Sequence, residues 1–402
     1  MNVDGENDEV AGPCAEAQAA HEPAAGAQPS ITAPANSIRV LRHGIDSLYV
    51  SYPGKVDPNF AVELQQAKEL AQTSNDELVA RAAVELGDHL FTVLPRGRGR
   101  FAYVMEDNWF SIQVANAVSI PLAYVQIRSE YLTAVGAEEA IATLNEIVEQ
   151  LGECAAPSIS RIDLYVDFVG DHDLTAQPGF AWVKRCRKRD IHEDRDRITG
   201  ISFGPGNELS ARLYDKTAEI IKSGKDYLKP LWEAKGWKEG ETVWRMEFQS
   251  RREAFPDPLK RIAVDALPHM GAWWRYLATE WLRLAIPSES DDTRTRWPMH
   301  PVWDALAKAW EVPPDAPLMT RVPKGRAPSD EILFKNGLWG LSSFMAREGI
   351  TDIGEGLGEF LDALGRFHEQ IPASGGLSGY MQRKARLKAR RYNMRMPGHE
   401  ED

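Results

Sequence analysis

The sequence predicts an α+β protein: an antiparallel sheet with flanking helices, followed by a helical C-terminal region. Three observations carry this. Many short segments alternate polar and apolar residues with a period of two, the mark of a strand with one face in a core. Between them lie stretches with apolar residues at helical spacing. From about Pro256 onward the helical pattern dominates and tryptophan becomes frequent.

Residues 1 to 37 are rich in Ala, Pro, Glu and Gly with few large apolar groups, so they are expected to stay disordered. A strand from Asp46 to Ser51 leads through Pro53-Gly54 into a helix over Asn59 to Leu86. Strands are expected at His89 to Leu94, Phe101 to Glu106, Trp109 to Ala115 and Leu122 to Arg128, with Asp107-Asn108 as a hairpin turn. A helix over Ala137 to Leu151 feeds a strand from Arg161 to Phe168. Then come a helix through Trp182, strands at Ile198 to Phe203 and Leu209 to Asp215, helical segments through Ile221 and Trp232, and a strand at Thr242 to Gln249. Asp46-Ser47-Leu48-Tyr49-Val50 echoes Asp163-Leu164-Tyr165-Val166, which points to a duplicated small α+β unit with halves over 38–152 and 153–286. Ala272 to Leu277 and Trp281 to Leu284 read as one amphipathic helix whose aromatics pack toward a core. Pro287 to Arg296 reads as a linker, and a helical region with a basic tail completes 287–402.

The chain has 402 residues, a net charge of -12 and three cysteines, Cys14, Cys154 and Cys186, without metal-ligand spacing. No run approaches the roughly 18 apolar residues of a membrane span, and the N-terminus is acidic, so a cytoplasmic protein with no membrane partner is expected. The negative charge argues against a nucleic-acid partner only as a sum. Basic residues cluster at Arg96, Arg98 and Arg100, at Lys184, Arg185, Arg187, Lys188 and Arg189, at Arg251 and Arg252, and from Arg383 to Arg395. Each run is ordinarily a solvated face; several around one site make a phosphate track.

Strand alternation puts Arg161, Asp163, Tyr165 and Asp167 on one face, Arg212, Tyr214 and Lys216 on another, and Arg245, Glu247 and Gln249 on a third. The ordinary explanation of each is the polar outer face of an antiparallel sheet. As neighbours, the three would offer carboxylates for a hard divalent cation, guanidinium groups for phosphate, and a phenol that can attack it.

The run Arg212-Leu213-Tyr214-Asp215-Lys216, followed by Trp244-Arg245-Met246-Glu247 and preceded by the Arg161-x-Asp163 strand that ends in Asp167, resembles the Rep-trans family of replication initiation factors. These are rolling-circle plasmid initiators and relaxases of conjugative elements. The likeness spans about Ile45 to Arg261 and is strongest from Ile159 to Ala254. It implies Tyr214 as nucleophile, Arg212 and Lys216 beside it, and Asp163, Asp167 and Glu247 as ligands of a divalent cation, Mg or Mn. The implied reaction is a nick in origin DNA that leaves a 5′-phosphotyrosyl link and a free 3′ hydroxyl, starting rolling-circle replication or conjugative transfer. Partners implied are the double-stranded origin, its single-stranded nick site, a host helicase and a second copy in a homodimer. Arg161, Arg245 and the clusters at 96–100, 184–189 and 251–252 are the DNA-binding candidates. The His-x-His metal pair of the commonest relaxases is absent.

Three other readings remain. A tyrosine recombinase would use His192-x-x-Arg195 on a helix and no metal. A non-catalytic DNA-binding regulator could keep the fold, and a hydrolytic nuclease would use a metal-bound water. No nucleotide loop follows Gly97-x-Gly99, so unwinding is left to a separate helicase.

Overall fold

The structure is a computed structural model and describes residues 38–392 except 74, 118, 171–173, 318, 320–329 and 371–374. The expected disordered segment over 1–37 lies outside the described residues, as does the end of the Arg383 to Arg395 basic run past Tyr392. In chain order, β1 (Ile38–Tyr52) and β2 (Gly54–Val56) lead into α1 (Pro58–Ala71) and α2 (Asp76–Val79). Strands β3 (Ala83–Leu86), β4 (His89–Val93), β5 (Tyr103–Glu106), β6 (Phe110–Val114) and β7 (Ala123–Ile127) precede α3 (Ser129–Val135) and α4 (Ala137–Glu149). The second half runs β8 (Gly152–Cys154), β9 (Ser158–Gly170), β10 (Trp182–Lys184), β11 (Arg189–Asp194), β12 (Arg197–Phe203), β13 (Leu209–Asp215), α5 (Lys216–Ser223), α6 (Leu228–Glu233) and β14 (Trp244–Arg251). Beyond it lie α7 (Ala263–Ala266), α8 (Met270–Tyr276), β15 (Leu282–Leu284), α9 (Pro301–Ala307), α10 (Asp330–Glu348), α11 (Ile353–Glu369) and α12 (Gly376–Tyr392).

Eleven strands form one sheet in the order β11-β12-β13-β14-β9-β1-β7-β6-β5-β4-β3, and every pairing is antiparallel. Its centre is the β1/β9 seam. Outward from the seam each half repeats one order, its long opening strand beside its last strand and the earlier strands beyond. β1 carries register shifts against β9 between Val40 and Arg42, Ile45 and Ser47, and Tyr49 and Val50. At such a bulge an extra residue turns to the same face as its neighbour.

One sheet face is covered by α1, α4, α7, α8 and α9, and it holds the main core, including Trp273, Trp274, Trp281 and Trp303. The aromatics near the C-terminal side of the sheet therefore pack, as their helical spacing predicted. They do not share one helix: α8 passes into a π-helical turn over Leu277–Trp281, and Leu282–Leu284 is β15, paired with β10. The opposite face is polar along its middle. At one end, Leu41 and Val169 join Ile220, Leu228, Trp232, Trp237 and Val243 in a smaller core beneath α5 and α6.

Three further expectations are corrected. The stretch from Asn59 to Leu86 holds two helices and ends in β3, because Asn75 caps a new helix and the last four residues alternate in burial. The helix expected through Trp182 is a 3-10 turn at Gly179–Ala181 followed by β10. The charged segment around His192 is an edge strand, β11, joined to β12 by Arg195 and Asp196 at φ 50° and 62°, the left-handed pair of a tight hairpin turn. The Asp107 hairpin forms as expected, its side chain accepting from the backbone N–H of Trp109 and Phe110. Among the described residues no helix is long and apolar enough to cross a membrane.

Candidate active site

β13, β14 and β9 are neighbours, and their register brings the three polar faces together. Arg212 stands opposite Glu247, Tyr214 opposite Arg245, Arg245 opposite Asp167, and Gln249 opposite Asp163. Cross-strand neighbours this close interact directly. Arg212 donates to Glu247 Oε1, and Tyr214 Oη donates to Glu247 Oε2 at 3.0 Å. Arg245 forks onto Asp167 at 2.6 and 2.8 Å, Trp232 Nε1 adds a third donor at 3.0 Å, and a further Arg245 nitrogen reaches Asp46. Asp46 is the extra residue of a β1 bulge, which turns it to this face from the other half of the chain.

β13 ends where Asp215 caps α5, accepting from Ala218 N and Thr217 Oγ1 while Arg197 holds its other oxygen. That switch puts Lys216 at the first helical position, with Nζ 5.6 Å from the Tyr214 ring and paired with Glu219. Gly200 lies opposite Tyr214 on β12; a Cβ there would stand 2.8 Å from the Leu213 carbonyl and 3.1 Å from Tyr214 Cβ. Tyr214 is half-buried and faces an open cavity of about 320 Å³ whose walls include Asp46, His192, Arg212, Lys216 and Lys225. Tyr165, the other tyrosine on this surface, is 2% exposed, accepts from Arg42 Nε at 2.7 Å and lies under the Arg245 guanidinium, 3.8 Å from its ring centre.

Burial and then the Glu247 charge hold the Tyr214 phenol well above its ordinary range, so the proton stays on oxygen at rest. Burial, with Arg245 adding, lowers Lys216. Burial works to raise Asp46, but Arg245, Lys225 and Lys216 outweigh it and hold the carboxyl below its usual range. Asp163 is pushed up to about 6 by burial, with Glu247 adding and the Arg161 hydrogen bonds opposing.

The three carboxylates expected to act together are not equivalent. Asp163 and Asp167 stand four residues apart on β9, about 13 Å, with Tyr165 between them. Asp167 is 0% exposed, and both its oxygens are taken by Arg245 and Trp232. Asp163 and Glu247, on adjacent strands, feel each other's charge. Among the described residues no three His, Cys, Asp or Glu side chains gather as a cation site. The oxygens of this pair are engaged as well, those of Asp163 by Arg161 and those of Glu247 by Arg212 and Tyr214, so a cation between them would have to displace these donors.

The basic candidates divide. Arg245 is 1% exposed and each of its three nitrogens is bonded to Asp167 or Asp46, so it is enclosed away from any phosphate at the surface. Arg252 donates to the carbonyls of Ile159 and Lys260. Arg161 forks onto Asp163 at 2.9 and 2.5 Å. Arg98 pairs with Glu106, and Arg185 with Glu280; Lys184 donates to the Cys186 carbonyl. Arg96, Arg187 and Lys188 are exposed, and Arg189 opens β11. Arg100, Arg161, Arg251 and Arg252 line one cavity on the same sheet face as Tyr214. Sequence reasoning missed His192, whose Nε2 lies 2.7 Å from Ser202 Oγ on the wall of the Tyr214 cavity, and Lys225 on the same wall. The only signal for His192 was a literal His-x-x-Arg match, which falls on a strand and not on a helix.

No family model matches the chain, and no curated protein matches it. Among solved structures it is similar to a rolling circle replication initiator protein from Geobacillus stearothermophilus, at 14% identity and a TM-score of 0.40, over 67% of this chain and 95% of that one.

Proposed function

We propose that the chain is a DNA nicking and closing enzyme of the replication-initiator kind, acting on single-stranded DNA through Tyr214. One observation carries the reading: a phenol bonded to a carboxylate at 3.0 Å on the wall of an open cavity that Arg212, Lys216 and Lys225 line together with Asp46 and Glu219. The Tyr214 oxygen attacks a phosphodiester phosphorus as its proton passes to Glu247. The bond from phosphorus to the 3′ oxygen breaks, that oxygen takes up a proton, and the 5′ side stays esterified to the tyrosine. The ester keeps the energy of the cleaved bond, so the reverse step rejoins the strand.

Glu247 is the base in this scheme because the phenol is too weak an acid to ionise unaided at neutral pH. Arg212, half exposed beside Glu247, and Lys216 are the charges that meet the developing phosphorane. Asp163 and Glu247 are the pair that would hold a Mg or Mn ion, which would neutralise their repulsion and polarise the phosphate when bound. Asp167 belongs instead to the Arg245 ion pair that keeps β14 and β9 in register. Origin DNA is the proposed substrate; a host helicase and a second copy of the chain are proposed partners.

A helical recombinase site is disfavoured because Tyr214 sits on a strand and His192 on the edge strand, with β12 between them. The test is a denaturing gel of labelled single-stranded origin DNA incubated with the protein and Mg or Mn. A protein-linked 5′ product is expected from the wild type and none from Tyr214→Phe, whose DNA affinity should stay within about twofold. An adduct that persists in Tyr214→Phe, or free nicked product without any adduct, removes the tyrosine from the mechanism.

A further inference from the structure

The polar sheet face continues past the acids. Along β14 the row runs Arg245, Glu247, Gln249, Arg251, and along β9 Asp167, Tyr165, Asp163, Arg161, with Arg251 opposite Arg161. The bulge opposite Tyr49 and Val50 turns both Ser160 and Arg161 to this side. Here the face opens into a cavity of about 500 Å³, whose lining includes Arg100, Arg161, Arg251 and Arg252 against a single acid, Glu253. Among the described residues neither Arg100 nor Arg251 has an acidic partner at ion-pair distance.

Two aromatic rings line this cavity, Phe101 and Tyr124, and Tyr49 beside it extends them into a row. The Phe101 and Tyr124 rings are 6.0 Å apart, Tyr124 and Tyr49 are 5.9 Å apart, and the Arg161 guanidinium lies 4.8 Å from the Tyr49 ring centre. All three rings are half-buried, whereas a core ring such as Phe110 on β6 is fully enclosed. Tyr49 and Tyr124 come from β1 and β7, across the seam from β9 and β14. Half-exposed rings set among fixed cations suit the two needs of an unpaired nucleic-acid strand, a surface for a base face and neutralisation of the phosphate beside it. A duplex keeps its base faces stacked on one another and cannot offer them to such a row.

We propose that this cavity is a base-stacking subsite for single-stranded DNA, holding bases of the same strand whose phosphodiester meets Tyr214. The proposal rests on the nicking reading above and names where the strand goes. From the Arg245 level to the Arg251 level is about 20 Å along β14, so the stacked bases lie several nucleotides from the scissile phosphate. Tyr124, between the other two rings, is the central platform.

The test is binding of short, mixed-sequence single-stranded oligonucleotides with 2-aminopurine at successive positions, without divalent ions so that no cleavage intervenes. The full chain, Tyr124→Leu, Tyr124→Phe and Arg251→Ala are compared, with circular dichroism to check folding. In the wild type, fluorescence should be quenched strongly at one or two positions. Tyr124→Leu should abolish that quenching and weaken binding roughly tenfold to a hundredfold, while Tyr124→Phe, which keeps the ring, should restore both. Arg251→Ala should weaken binding and lower its salt dependence by about one phosphate contact. Wild-type quenching that survives in folded Tyr124→Leu, with unchanged affinity, overturns the subsite and leaves the Tyr214 reading intact. No single-strand binding by the wild type overturns both.

Discussion

At the scale of single residues, the site is an alternation of guanidinium and carboxylate groups in which only some members are free to act. Arg245 illustrates the distinction. It is fully buried, and removing it would leave Asp167 charged, enclosed and without its fork. Arg245→Ala should therefore cost about 3–5 kcal/mol of stability, read from urea unfolding, and far more than truncation of the exposed Arg251. Asp163 gives a pH dependence of definite sign. Its folded value of about 6 lies above its ordinary one, so the protonated form is favoured by folding. The stabilisation is complete below about pH 4 and is lost as pH rises through 6, on the order of 3 kcal/mol in all. With a chelator present, Asp163→Asn should raise the melting temperature at pH 7 to 8 and leave it unchanged below pH 4. An equal effect at both ends would mean that the carboxyl titrates normally.

At the scale of elements, positions depend on small accommodations between strands. Gly200 gives Tyr214 its room, so Gly200→Ala should press on the Tyr214 backbone and side chain. Adduct formation is expected to fall at least tenfold, with single-strand affinity held within about threefold; equal loss of both would point to a collapsed hairpin instead. Elements with one face in a core were legible in the sequence, because burial imposes the period of two: β9, β13 and β14 stand where alternation put them, and so does the convergence of Tyr214 with Glu247 and Arg212. β11 was not legible, since both its faces are largely exposed and its charges suit an unpaired sheet edge. His192 was hidden with it. The differing fates of Asp163 and Asp167 were also unreadable, because the groups that claim Asp167, Arg245 and Trp232, lie 78 and 65 residues away. The bulge that turns Asp46 into the site leaves no mark in one sequence.

At the scale of the whole molecule, α8 and α9 are fastened to the strands by tryptophans, Trp273 donating to Ser250 of β14. Trp303 on α9 is fully buried, donates to the Ala278 carbonyl at 2.7 Å and meets Trp182 of β10 edge-on at 5.3 Å. Trp303→Ala should lose about 3–5 kcal/mol in urea unfolding. If the loss is below about 1 kcal/mol, α9 is not part of the cooperative unit. The β1/β9 seam has a consequence for synthesis. β1 is made roughly a hundred residues before the strand that shields its inner side, so the nascent N-terminal half waits on the ribosome with a 15-residue ladder of open amides and carbonyls. During that interval two nascent chains could zip together through their twin ladders, which makes slow translation or crowded polysomes the conditions under which this protein misassembles.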